Sequence, residues 1–194
     1  MSALSERERG QLSLLARASL EEALGSEGAV DRALAGIELT PALEETRGAF
    51  VTLRERGVLD PTGHPRLRGC IGTIEAREPL YRSVVRNASH AALDDPRFAP
   101  VRAGELPGLS VEISALTPMR PVAGPGEIVC GRDGVLLERG SHRAVFLPQV
   151  ATEQGWNVTQ LLEHLARKAG LASDDWRGAK LSVFQAEVFS ATED

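Results

Sequence analysis

The chain has 194 residues, of which 42% are hydrophobic and 25% are charged, a composition typical of a soluble globular protein with one large domain or one domain and an added lobe. Its formal net charge of −5 argues against general nucleic-acid binding, because that function requires a basic surface. No apolar run approaches the ~20 residues of a membrane span, and the charged N-terminal residues lack the apolar segment of a signal peptide, so we expect a cytoplasmic protein without a membrane partner.

The first part of the chain predicts helices. Ser5 and Glu8 form a capping-box pattern, in which each side chain satisfies a free backbone N–H at the start of a helix. Apolar residues then recur at helical spacing, and Gly25 suits the position after a helix end. We therefore predict an amphipathic helix over residues 5–25 that packs on the remainder of the chain, followed by a short helix over 31–35.

A hairpin, a helix and a further strand are predicted next. Residues 49–54 and 66–74 have the composition of strands, and the connection between them is rich in proline and glycine, which indicates a hairpin. Pro79 suits the first position of a helix whose apolar residues continue to Ala92. Apolar and polar residues alternate over 109–116, as is typical of an antiparallel strand with one solvated face.

The second part of the chain follows a proline- and glycine-rich stretch at 118–126, which is the best candidate for a boundary between lobes. We predict strands over 134–138, 144–147 and 181–189, and a helix over 158–169. The central strands are expected to fold back into the same sheet as the first hairpin. Hairpins without strict βαβ alternation favour an α+β fold, with a mainly antiparallel sheet flanked by helices in a single domain over 1–194.

The segment LRGCIGT, residues 67–73, contains the first candidate for chemistry, Cys70. A nucleophilic cysteine needs its thiolate, which a nearby cation favours, and Arg68 shares the face of Cys70 on a regular strand. Gly69 and Gly72 leave backbone N–H groups uncrowded, as an oxyanion site requires. The alternative is that Cys70 is a small buried apolar residue, and that the glycines form a bulge or admit a closely packed helix.

A base for this thiol would most often be a histidine, and spacing does not choose among the four available: His64, His90, His142 and His164. The two cysteines, Cys70 and Cys130, are expected to be free thiols in a reducing cytosol. Together with the scattered histidines they lack zinc-type spacing. We therefore predict neither a metal site nor a cofactor.

Two further polar groups are candidates for a binding site. Asp95 and Arg97 follow the predicted helix, where they either bind a ligand or form a helix-ending turn with an ion pair. The segment LPQVATEQGWN, residues 147–157, is expected to be irregular and contains Gln154 and Trp156. Such a loop can line a pocket or a partner surface, or it can be a connector in which Trp156 fills the core.

Together these segments resemble the AMMECR family, named after a contiguous-gene-deletion syndrome, whose bacterial and archaeal members are called AmmeMemoRadiSam system protein A. LRGCIGT, DDPRFAPVRAGELPGLSVEISAL and FLPQVATEQGWN with LARKAGL occur in order over roughly 47–189, and GCIG is the signature of the family. The resemblance implies a mixed α/β chain with two unequal lobes, the larger with an antiparallel sheet flanked by helices. It also implies a cleft between the lobes, with the LRGCIG segment near it.

The resemblance further implies partnership with a Memo-like protein and a radical-SAM protein. This chain has no CxxxCxxC motif for an iron–sulfur cluster, so it would be the first component alone. Many members have a cysteine where this chain has Ala166, which weakens a mechanism that needs two cysteines, unless Cys130 replaces the missing one. The motif positions are Arg68, Gly69, Cys70, Gly72, Asp95, Arg97, Phe98, Glu105, Pro148, Gln154, Gly155 and Trp156.

Two functional hypotheses follow, and they leave open whether the protein is an enzyme. In the first, Cys70 is a nucleophile or sulfur ligand in chemistry on a small molecule or a protein side chain. Arg68 and the backbone at Gly69 and Gly72 then stabilise negative charge. In the second, the protein is a non-catalytic adaptor, and the segment that contains Trp156 docks a protein partner.

Overall fold

The computed structural model describes residues 3–61 and 63–190, which divide into two compact units. The first unit comprises the chain up to Leu116 together with the residues from Glu187 onward, and the second unit is Thr117–Ala186. The predicted α+β class is confirmed, because the chain forms two antiparallel sheets flanked by helices. Among the described residues, no helix has the length and apolar character needed to cross a membrane.

The elements follow in chain order. The helices are α1 (Glu6–Ala23), α2 (Ala29–Ala35), α3 (Pro41–Glu44), α4 (Leu80–Leu93), α5 (Pro148–Glu153) and α6 (Val158–Lys168). The strands are β1 (Ala49–Leu59), β2 (Pro65–Thr73), β3 (Leu109–Leu116), β4 (Arg120–Val122), β5 (Gly134–Arg139), β6 (His142–Phe146), β7 (Lys180–Phe184) and β8 (Ala186–Ser190).

The first unit is built on a sheet of order β2-β1-β3-β8. One face of this sheet packs against α1 and α4, whose apolar residues share a buried core with those of β1 and β3. The predicted N-terminal helix is confirmed: Ser5 and Glu8 form the capping box, and Gly25 follows the helix with a positive φ of 112°. Burial of one amphipathic face stabilises this helix more than its propensity does.

The predicted hairpin of β1 and β2 is confirmed and is longer than predicted, since β1 continues to Leu59. Its register pairs Thr52 with Cys70, Leu53 with Gly69 and Arg54 with Leu67. Arg68 is therefore the additional residue of a β-bulge, which interrupts the regular alternation of β2 immediately before Cys70.

The second unit contains a sheet of its own, of order β4-β7-β5-β6. The prediction that the central strands return to the first sheet is therefore wrong. The predicted final strand is also divided, because β7 joins the second sheet and β8 joins the first. Between them the backbone of Gln185 exchanges hydrogen bonds with Thr117, accepting from its N–H and donating to its Oγ1, both over 2.8 Å.

A buried arginine fixes β8 in the first sheet. The side chain of Arg47, 1% exposed, donates to the carbonyl of Leu116 over 2.7 Å and to Glu187 over 3.0 Å. A cation in this position must be paired, because an unpaired buried charge is strongly destabilising. Glu187 supplies that pairing from β8, so the strand is held beside β3 by charge as well as by its backbone.

Candidate functional site

Cys70 lies on β2, the edge strand of the first sheet. On the side of β2 that faces away from β1, the backbone of Cys70 is bound by side chains. Its N–H donates to Asp95 Oδ2 over 2.8 Å, and its carbonyl accepts from Arg97 Nη2 over 3.2 Å. An exposed edge strand ordinarily presents unpaired N–H and carbonyl groups. Asp95 and Arg97 satisfy both groups at Cys70, so this part of the edge is closed by an ion pair.

The ion pair itself is closely bound and asymmetric in burial. Arg97 donates from Nε to Asp95 Oδ1 over 2.9 Å and from Nη2 to Oδ2 over 2.7 Å. The side chain of Asp95 is 2% exposed, whereas that of Arg97 is 54% exposed. Hydrogen bonds from Arg97 and from the Cys70 N–H hold the pKa of Asp95 far below its usual range, and the same pairing raises the pKa of Arg97.

The local sequence places this pair by ending a helix. Asp94 caps the C-terminus of α4, and its N–H bonds back to the carbonyl of His90. The carbonyl of Asp95 then accepts from the N–H of Phe98 over 3.1 Å, which makes a turn containing Pro96. Of the two interpretations given for Asp95 and Arg97, the ion pair in a helix-ending turn is therefore present. Its contact with Cys70 was not part of either interpretation.

The thiol of Cys70 is half-buried and faces a hydroxyl. Thr52 Oγ1 lies 3.3 Å from Cys70 Sγ, within hydrogen-bond reach for a sulfur atom. The guanidinium of Arg97 is bonded to the carbonyl of the same residue. The cation next to Cys70 is thus Arg97. Thr52 is a contact that the sequence did not identify, although the predicted hairpin indicated that some β1 side chain must face Cys70.

A polar row crosses the sheet at Cys70. Because Val51, Leu53, Val111 and Ile113 are buried in the core, the residues between them point to the opposite face. On that face Thr52 is paired with Cys70 on one side and with Glu112 on the other. A thiol, a hydroxyl and a carboxylate therefore lie in one row across three strands.

Arg68 is bound away from the ion pair. Its guanidinium donates from Nε to Glu105 over 2.9 Å and from Nη1 to the carbonyl of Ala99 over 2.9 Å. Its Nη2 makes a longer bond of 3.3 Å to Glu105, whose pKa is lowered by the hydrogen bond from Arg68. Three of its nitrogens are thus engaged in holding the loop after α4, and the role predicted for Arg68 at the thiol stays a prediction.

The space beside both glycines of the motif is occupied by protein. A Cβ at Gly69 would lie 2.1 Å from the carbonyl oxygen of Ala91 in α4, and a Cβ at Gly72 would lie 2.2 Å from the ring of Phe50. Gly69 thus permits the close approach of α4 to β2, which is the packing alternative raised for this glycine above. Oxyanion stabilisation by these backbones stays a prediction.

Gln154 and Trp156 belong to the second unit. The segment before α6 is not irregular as predicted, because Pro148 begins the short helix α5, and Gln154 caps that helix with its side chain exposed. The ring of Trp156 stacks on His164 at a centroid distance of 3.9 Å and a tilt of 6°, and lies 5.8 Å from Phe146. Trp156 therefore packs against the core of the second unit, and its partner-binding role stays a prediction.

The remaining titratable candidates are placed as follows. His90 lies 4.0 Å from Asp94, His142 contacts the carbonyl of Ala169 over 2.8 Å, and His164 lies under Trp156. Burial raises the pKa of the Cys130 thiol. Across residues 3–61 and 63–190, no group of three or more histidine, cysteine, aspartate or glutamate side chains is arranged to hold a metal ion.

Comparison with known proteins gives consistent matches over nearly the whole chain. A family model described as AMMECR1 matches residues 13–189, a longer region than the 47–189 that the motifs indicated. A protein of Thermofilum pendens is 38% identical over an alignment of 203 positions, which covers 99% of this chain and 93% of that protein. Protein PF1979 of Pyrococcus furiosus is 38% identical over 182 residues, which span 90% of this chain and 84% of that protein.

A solved structure matches as well. The crystal structure of uncharacterized protein PH0010 from Pyrococcus horikoshii superposes with a TM-score of 0.75 at 37% sequence identity. The match covers 93% of this chain and 90% of that chain. The two chains therefore share both fold and ancestry.

Proposed function

We propose that this chain, which belongs to the AMMECR1 family, performs chemistry that depends on Cys70 and acts on a small molecule or on a protein side chain. The observation that supports the proposal is the half-buried Cys70 thiol, which lies next to the Thr52 hydroxyl on a residue whose carbonyl is bound by the Arg97 guanidinium.

The chemistry begins with loss of the thiol proton to water. The sulfur lone pair then forms a bond to an electrophilic atom of the substrate, and the electron pair of the bond that breaks departs with the leaving group. Arg97 stabilises the negative charge on sulfur before the attack, because its guanidinium carries a permanent positive charge. Thr52 orients the sulfur through its hydroxyl.

A gene-replacement experiment tests this proposal and requires no candidate substrate. Strains that encode Cys70→Ala, Cys130→Ala or no protein are compared with the parent by untargeted profiling of metabolites and of protein modifications. We expect the Cys70→Ala profile to match that of the deletion strain and the Cys130→Ala profile to match that of the parent. A Cys70→Ala profile equal to that of the parent, with the protein present at normal abundance, would overturn the proposal.

We propose in addition that the protein works beside a Memo-like protein and a radical-SAM protein, as the family resemblance implies. The observation in favour of a docking role is the exposure of Gln149, Glu153 and Gln154 along α5, since an exposed polar helix end is available to a partner. In its extreme form this is the adaptor hypothesis, in which the protein has no chemistry of its own.

Binding measurements with the purified partners test this second proposal. We expect the wild-type chain to bind at least one of them and Gln154→Ala to weaken that binding. Thr159→Ala, an exposed position on α6, is the matched control. Equal binding by Gln154→Ala and by the wild type would remove α5 as the docking surface, and no binding at all would remove the partnership.

A further inference from the structure

We infer that Arg97 is the cation that activates the Cys70 sulfur and that Asp95 is its positioning residue, whereas Arg68 acts on the loop after α4. The inference rests on the proposed use of Cys70 as a nucleophile. It gives the Asp95–Arg97 pair a role in reactivity, in place of the ligand- or partner-binding role that the sequence predicts for it.

The first argument is the difference between the two arginines. Arg68 directs Nε and Nη2 to Glu105 and Nη1 to the carbonyl of Ala99, and its side chain is 11% exposed. Arg97 directs Nη2 to the carbonyl of Cys70 over 3.2 Å, and its side chain is 54% exposed. Of these two guanidinium groups, that of Arg97 is the one bonded to Cys70 itself, through the Cys70 carbonyl. Its charge therefore lies next to the residue that carries the sulfur.

The second argument is the way Asp95 fixes that arginine. One carboxylate oxygen, Oδ2, accepts both from the Cys70 N–H over 2.8 Å and from Arg97 Nη2 over 2.7 Å. The other oxygen, Oδ1, accepts from the backbone N–H of Arg97 over 3.1 Å and from its Nε over 2.9 Å. A buried carboxylate thus joins the backbone of the nucleophile to the guanidinium. Such an arrangement reduces the rotamer freedom that an exposed arginine otherwise has.

The remaining surroundings of the guanidinium are compatible with this orientation. The Arg97 Cζ atom lies 5.5 Å from the centroid of the Phe98 ring, within the range of a cation–π contact. Arg97 is therefore held by a carboxylate, a carbonyl and an aromatic ring, while about half of its surface stays open to a reactant. An exposed charge is screened by water, so its effect on a neighbouring thiolate is modest.

Alkylation by iodoacetamide isolates this effect from any unknown substrate. In this reaction the Cys70 thiolate forms a carbon–sulfur bond, the carbon–iodine bond breaks and iodide leaves, while the thiol proton has gone to the solvent. Rates are measured by intact mass on a Cys130→Ala background, so that each added mass reports Cys70 alone. The variants are Arg97→Gln, Arg97→Lys, Asp95→Asn and Arg68→Gln, with Arg66→Gln as the control, because Arg66 pairs with Glu55 on the exposed part of the hairpin.

We expect Arg97→Gln to react about two- to fivefold more slowly at pH 7, which corresponds to loss of about one exposed charge interaction. Arg97→Lys should recover most of the rate, because it keeps the charge. Asp95→Asn should slow the reaction less than Arg97→Gln, because it releases the guanidinium but also removes a negative charge next to Cys70. Arg66→Gln should leave the rate unchanged. High salt should reduce the difference between Arg97→Gln and the parent.

Two outcomes would overturn the inference: an unchanged rate in Arg97→Gln, or a loss in Arg68→Gln as large as that in Arg97→Gln. A variant that fails to fold is identified by its circular dichroism spectrum, and Arg97→Lys then supplies the decisive comparison. The proposed function can fail independently. A Cys70→Ala strain with a parental profile removes the proposed function, whereas the alkylation rates still decide which arginine faces the thiol.

Discussion

The edge of β2 at Cys70 and the segment around Trp156 contain similar residue types but use them differently. At Cys70, a carboxylate and a guanidinium bind a strand backbone and meet beside a thiol. Around Trp156, an indole, an imidazole and a phenyl ring pack on one another against an apolar core. The first arrangement satisfies backbone groups that packing alone would leave unpaired, and the second removes apolar surface from water.

This difference indicates what separates a reactive candidate from a structural one in this chain. Gln154 and Trp156 are close in sequence, yet one is exposed and the other is packed. Membership of the same motif therefore does not show whether a residue is structural or functional. Asp95 and Cys70 are far apart in sequence, yet they share a hydrogen bond. Convergence of polar groups from different elements on one atom is the more informative sign.

The largest expected effect concerns the packing of α4 against β2, next to Cys70. Gly69→Ala should lower the free energy of unfolding by about 3 kcal/mol, because its Cβ would lie 2.1 Å from the Ala91 carbonyl and force α4 away from the sheet. Urea unfolding followed by far-UV circular dichroism measures it. Gly104→Ala, whose Cβ would have no atom within 4 Å, is the matched control. A loss below ~1 kcal/mol would show that α4 can move without cost.

Trp156→Ala tests whether the aromatic stack is structural. We expect a loss of about 2 kcal/mol in the free energy of unfolding, since a half-buried indole loses its contacts with His164 and Phe146. The measurement is chemical unfolding followed by circular dichroism, because tryptophan fluorescence changes when the indole is removed. Gln154→Ala, at an exposed position, should leave stability within ~0.5 kcal/mol of the parent. Unchanged stability in Trp156→Ala would instead favour a surface role for the indole.

Sequence periodicity was sufficient for the local elements and insufficient for their assembly. The capping box at Ser5, the strand over 109–116 and the turn chemistry of the hairpin each depend on neighbours within a few residues, and all three are present. The solvated face predicted for that strand is not present along its whole length, because residues 113–116 are all buried. The division of the final strand depends on the bonds between Thr117 and Gln185. The apolar positions change phase there, from Leu181 and Val183 to Phe184, Ala186 and Val188. Such a change also fits a bulge within one strand, so the local pattern does not reveal the change of sheet.

The candidate site shows the same limit. The sequence identified Cys70, Asp95 and Arg97 separately, because each lies in a segment with recognisable turn or strand chemistry. Their contact requires the length of α4 and the close approach that Gly69 permits. Thr52 was not identified, since a threonine in a strand is ordinary until the register places it opposite a thiol.

Asp95→Asn tests the ion pair next to Cys70 through the pH dependence of stability. We expect a loss of about 1.5 kcal/mol at neutral pH, because the buried amide cannot match the charged hydrogen bonds to Arg97. The folded-state pKa of Asp95 is lowered, so the stability it contributes is present above the unfolded value of about 3.9 and is lost as pH falls below it. The difference between parent and variant should therefore shrink below about pH 4, as measured by urea unfolding. A difference independent of pH would show that Asp95 is not an ionised partner of Arg97.

Thr52→Val gives the smallest expected effect and tests the contact nearest the sulfur. The substitution keeps the shape and the β-branching of the side chain and removes only the hydroxyl that lies 3.3 Å from Cys70 Sγ. Stability should change by less than ~1 kcal/mol, since a single hydrogen bond to sulfur is weak and valine suits a strand.

Alkylation of Cys70 should change by no more than about threefold, measured on the Cys130→Ala background. Ser114→Ala, on the same face but in the next row, controls for removal of a neighbouring hydroxyl. A larger loss of reactivity in Thr52→Val than in Arg97→Gln would mean that orientation of the sulfur, and not the charge beside it, governs its reactivity.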